Sequence, residues 1–136
     1  MLRVTALLFL LSFHQPAEAQ DPRLAARLDS NTRARVEAVL VTAQSRGLPV
    51  EPLVQKALEG SSKGASGPRI VAAVEMMLGD LGRARDGLGR NASPSELVAG
   101  AAALRAGATP EMVSQIRSAE PEGGVAIPLG MRPRIG

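Results

Sequence analysis

Ile70, Val74, Met77, Leu81, Ala84 and Leu88 recur at spacings of 4, 3, 4, 3 and 4, and no stretch of the chain alternates apolar with polar residues. Spacings of three and four place side chains on one face of a helix, whereas a half-buried strand needs a period of two. This seam therefore requires a helix packed on other helices. Six positions fall short of the three or four heptads that a coiled coil needs. The expected fold class is all-α, a small bundle or helical-hairpin repeat of four to five helices.

Glycine and proline mark where those helices stop and start. Asp21-Pro22 or Asp29-Ser30 can cap a first helix that runs to Arg46, with Val36, Val39, Leu40 and Ala43 as its apolar stripe and Gly47 as its stop. A short helix restarts near Pro52 and carries Leu53, Val54, Ala57 and Leu58, because proline is tolerated only in a first turn. Gly60 to Gly67 reads as a flexible linker by composition. Pro68 opens the helix that carries the seam. Gly79, Gly82, Gly87 and Gly89 each cost that helix about 1 kcal/mol relative to Ala, so its second half should fray unless a neighbour packs closely there. Ser93-Pro94-Ser95-Glu96 forms a capping box for a fourth helix ending at Gly107, and Thr109-Pro110 starts a short fifth.

Two blocks, Ala38–Leu58 and Val98–Ser118, share one order: helix, glycine stop, proline-bearing turn, short helix. Two copies are fewer than the three that a solenoid needs, so a compact bundle that reuses the same cap chemistry is the favoured reading.

The first residues have the zones of a secretory leader. Arg3 supplies the positive start, Val4–Phe13 the apolar run, and Ala17-Glu18-Ala19 a cleavage site that leaves Gln20 as the new N-terminus. The apolar run is half the length of a membrane span, and no later segment reaches that length. The expected organisation is a signal peptide over residues 1–19, a helical domain over 20–118 and a Pro/Gly-rich flexible tail over 119–136. The tail's one apolar run, Val125-Ala126-Ile127-Pro128-Leu129, is suited to docking on the bundle.

Cleavage after Ala19 would have a large chemical consequence. Cys, Trp and Tyr are absent, and Phe9, Phe13 and His14 are the only other aromatic or imidazole side chains. The exported form would then lack the groups for Ser-His-Asp or Cys-His catalysis and for zinc, haem or iron–sulfur ligation. No cofactor or metal is expected. A carboxylate-based hydrolase is the remaining enzymatic alternative, but Glu75 and Asp80 are five apart on a helix and point different ways. Arg33–Glu37, Glu59–Lys63 and Asp86–Arg90 read as i,i+4 pairs on exposed faces. Gly60–Gly67 lacks the Gly-Lys-Ser/Thr order of a phosphate-binding loop.

The formal net charge is only +3, with acids interspersed among the bases, and single-strand stacking is impossible without aromatics, so no nucleic-acid partner is expected. Arg83, Arg85 and Arg90, with Arg132 and Arg134, leave weak attraction to anionic lipid or cell-wall polymer as an alternative. The core must be aliphatic. Met76, Met77 and Met112 are expected to help fill it, an adaptable contact groove being the alternative use of thioethers. Gly100, within Ala99-Gly100-Ala101-Ala102-Ala103, offers a close approach to another helix, either in the same chain or in a homodimer. Together Met76, Met77, Gly100 and Met112 form the candidate contact surface for a protein partner.

Gly47 to Gly60, followed by Lys63-Gly64 and Pro68 to Val74, resembles a run found in secreted bacterial Ala- and Arg-rich helical proteins to which no function is attached. The resemblance covers roughly residues 28–118 and implies export and a helical fold, and it brings no catalytic or binding residue. Those proteins continue in helical form beyond a Pro-Leu-Gly, whereas here Pro128-Leu129-Gly130 is followed by Met131-Arg132-Pro133-Arg134-Ile135-Gly136. The resulting expectation is a non-catalytic exported module that works by protein contact.

Overall fold

The computed structural model describes residues 21–119, which form six α-helices and no strand. Residues 1–20, where the signal peptide is expected, and residues 120–136, where the flexible tail is expected, lie outside the described residues. The helices are α1 (Pro22–Arg27), α2 (Ser30–Ser45), α3 (Glu51–Ser62), α4 (Gly67–Leu88), α5 (Pro94–Arg105) and α6 (Pro110–Ala119).

Both candidate caps at the start are used, so the expected first helix is two. Asp21 accepts the Arg23 N–H, and α1 ends where Leu28 turns extended and buries its side chain. Asp29 then accepts the Thr32 N–H at 2.9 Å, and the Thr32 hydroxyl donates to its other oxygen at 2.6 Å. Gly67, at the start of α4, sits on that pair: a Cβ there would lie 2.2 Å from the Thr32 hydroxyl.

Residues 60–67 are not a flexible linker. α3 continues through Ser62 and closes in a Schellman turn, in which Gly64 takes a φ of 69° and the Ala65 N–H returns to the Gly60 carbonyl. Packing overrides the low helix propensity of Gly60, Ser61 and Ser62. A Cβ on Gly60 would stand 2.9 Å from Ile70, so the missing side chain lets α3 lie close on α4, while the Ser61 hydroxyl donates to the Arg27 carbonyl. The same turn recurs at the two predicted stops, where the Leu48 N–H returns to Ala43 and the Ala108 N–H to Ala103.

α4 is the strut on which the rest assembles. It runs unbroken for 22 residues, despite the expected fraying of its glycine-rich half. Neighbours pack closely where the sequence required them to. The Arg46 guanidinium lies over Gly82, and the Pro110 carbonyl lies against Gly87. Gly79 faces open space. α2 runs alongside α4 in the same direction, from Thr32 against Gly67 to Arg46 against Gly82. α3 and α5 return antiparallel to α4 on either side, and α6 crosses its end. The hairpins α2–α3 and α5–α6 therefore correspond to the two matched sequence blocks, and each packs chiefly on α4.

Among the described residues, every buried hydrophobic residue is Leu, Val, Ile or Ala. Five of the six seam residues are buried, and Met77 is only half-buried. The expectation that methionines fill the core is thus corrected, since Met76 and Met112 are 61% and 54% exposed. The reason is steric: tightly approaching helices with Ala and Gly at their crossings leave no irregular gap for a long thioether.

Candidate functional site

Two clefts flank the narrow shaft of α5. Val98, Ala101, Ala102 and Arg105 recur at helical spacing and face α3, whereas Glu96, Ala99, Gly100 and Ala103 face α6. Short side chains on both faces leave volume that longer ones would occupy.

On the first face, α3 and α5 form the walls of a groove whose floor is α4. Met77, Leu81 and Asp80 line the floor, with Pro52 and Lys56 on one wall and Val98, Ala101, Ala102 and Arg105 on the other. The volume is about 170 Å³, and a shallower extension runs along Glu51, Gln55 and Glu59. Leu81 is fully buried, while Val98 is 39% exposed.

The polar groups of this groove are already satisfied. Asp80, which is almost fully buried, accepts from Arg83 at 2.5 Å through one oxygen and from Arg105 at 2.7 Å through the other. Burial alone would raise its carboxyl, but the bonds from Arg105 and Arg83 outweigh it and hold the group below the ordinary aspartate range. Arg105 thereby ties α5 to α4. On the rim, Arg23 and Gln55 donate to Glu51 and hold its carboxyl down to about 2, and Lys56 and Lys63 both pair with Glu59. The result is a largely apolar groove with one paired carboxylate, Asp80, in its floor and fixed charges at its edge, an arrangement suited to binding.

The four candidate contact residues do not form one patch. Met77 lies on the groove floor, and Met76 is exposed at the adjacent position of α4. Gly100 is internal: a Cβ there would meet Ala84 and Leu88 at 3.1 Å and Val113 at 3.3 Å, so its close approach is to α4 and α6 of the same chain. Met112 is exposed on α6. The arginines after the seam do not cluster either. Arg83 serves Asp80, Arg85 donates to the Gly47 carbonyl at 2.6 Å, and Arg90 lies beyond the helix end. Glu59–Lys63 forms as expected, and Arg33–Glu37 forms at 3.7 Å but on a half-buried face instead of an exposed one. Among the described residues Asp86 and Arg90 make no ion pair, because α4 stops at Leu88. Glu75 lies against α2 beside Arg35 and Thr42, away from Asp80.

Val98, Pro52 and the Asp80–Arg105 pair were not singled out by sequence. Val98 stands directly after the buried Leu97, and nothing in the sequence separated the exposed residue from the buried one. Locally, Asp80 showed only an i,i+3 arginine, Arg83, and its second partner, Arg105, is 25 positions away.

The chain matches no protein-family model, and no curated protein and no solved structure is significantly similar to it.

Proposed function

We propose that this protein is an exported, non-catalytic helical module that works by contact with another protein, in the periplasm or outside the cell, after cleavage between Ala19 and Gln20. The observation that carries this reading is the α3–α4–α5 groove, with Met77 half-buried on its floor, Val98 half-exposed on its wall and hydrogen-bonded charges at its rim. Thioethers adapt to partners of varied shape, and a groove of this form suits one face of an amphipathic helix. Export rests on the leader read in the sequence. The absence of imidazole and thiol beyond His14 supports a role without catalysis.

The test pairs Val98→Asp with Val41→Asp, because Val41 is equally apolar and 60% exposed on α2. A partner captured from envelope extract should be lost with the first variant and kept with the second. Capture that is indifferent to Val98, together with a strictly monomeric mass, would count against the reading.

A second reading, peripheral attachment to anionic lipid or cell-wall polymer, is favoured by one observation. Arg46 and Arg85 flank the crossing of α2 and α4 with no carboxylate partner among the described residues, and the Arg85 Nε is buried without a hydrogen bond. Sedimentation with anionic vesicles or cell wall at low and high salt separates the two readings, since only the second is salt-released.

A further inference from the structure

The second face of α5 carries an inference that is independent of the proposed groove. Between α5 and α6 lies a cleft of about 210 Å³ with Leu88, Gly100 and Val113 at its base and Ala99 and Ala103 along its side. Engineered apolar cavities of about 150 Å³ accept a benzene-sized molecule, so this cleft has room for an aliphatic side chain or two. Its mouth is polar. Glu96 and Arg117 stand there, and Arg117 also donates to the Leu88 carbonyl at the end of α4.

Position selects the occupant. Arg117 is two residues before the end of α6 at Ala119, so the chain leaves the helix at the cleft mouth. Six residues further comes Val125-Ala126-Ile127-Pro128-Leu129, the one apolar run of residues 120–136, preceded by Gly123-Gly124. Six extended residues span at most roughly 20 Å, enough to turn back over the cleft. A segment tethered this closely also has an effective concentration in the millimolar range.

We propose that the α5–α6 cleft is the docking site of this chain's own Val125–Leu129 segment, with the Ile127 side chain as its anchor.

The lack of any native cysteine makes a disulfide test clean. In the full-length chain, Ile127→Cys is combined either with Ala99→Cys, on the cleft face, or with Ala102→Cys, on the groove face of the same helix. Both helix positions are exposed, and far-UV circular dichroism checks that both double variants are folded. The expected result is an intramolecular disulfide that forms about tenfold faster with the Ala99 variant than with the Ala102 variant. Equal rates would overturn the proposal, and so would predominantly intermolecular disulfides, which would give the cleft to a second copy. In the otherwise unaltered chain, Ile127→Asp should speed proteolytic removal of the tail about tenfold. An unchanged cleavage rate would also overturn it.

Discussion

Three glycines inside α4 respond to one substitution in different ways, and the structure gives the sign at each. Gly79 faces open space, so Gly79→Ala removes backbone freedom from the unfolded chain and adds no contact. The gain is about 0.5–1 kcal/mol. For a domain of this size that raises the melting temperature by about 2–8 °C. At Gly87 the added Cβ would lie 2.9 Å from the Pro110 carbonyl oxygen, a backbone atom in the first turn of α6. It can be relieved only by moving that helix, and overpacking of this kind costs about 1–3 kcal/mol. Less the same propensity gain, Gly87→Ala should lose up to about 2 kcal/mol. Gly82→Ala meets the tip of Arg46, a flexible side chain that can swing away, and should lie near neutral. With no Trp or Tyr to report by fluorescence, the assay is thermal unfolding followed by far-UV circular dichroism. A Gly87→Ala protein as stabilised as the Gly79→Ala protein would refute the close crossing of α4 and α6.

Further outcomes follow from single contacts. Ser93→Ala removes the acceptor of the Glu96 N–H in the α5 capping box and should cost about 1 kcal/mol in chemical denaturation. Leu24 is fully buried and anchors the six-residue α1, so Leu24→Ala should cost about 2–4 kcal/mol and release α1 to early hydrogen exchange. Because the folded-state carboxyl of Asp80 is depressed, its contribution is present above the ordinary value of 3.8 and is lost as pH falls through the lower folded value. Asp80→Asn should therefore melt at a lower temperature at pH 7 and show a shallower fall between pH 4 and pH 2 than the parent. Equal acid slopes would show that Asp80 carries none of the acid sensitivity.

Much of this fold was legible because its punctuation is chemical. Gly47 and Gly107 take the positive φ that stops a helix, Ser93 and Glu96 make the reciprocal bonds of a capping box, and the apolar seam of α4 is buried apart from Met77. What failed to show was whatever depended on distant partners. Gly60 looks like linker until Ile70 is seen against it, and the glycines of α4 look like breaks until Arg46 and Pro110 arrive. The break between α1 and α2 was half legible, since both caps were visible and only the burial of Leu28 settled that both operate. The groove was the least legible feature, because a void is defined by side chains that stop short on three helices at once. Met77 was visible as a candidate, but that it floors a groove and leaves the core to aliphatics was not.

The central position of α4 governs how the protein comes apart. Each hairpin has α4 as its main packing partner, so either one can lift away while the other stays seated. Neither outlasts the melting of α4 itself. Opening is therefore hierarchical: the outer pairs breathe independently, and the amides in the middle of α4 exchange only when the whole molecule lets go. A guest that touches α3 and α5 together would clamp both pairs at once and turn two separate openings into a single concerted one.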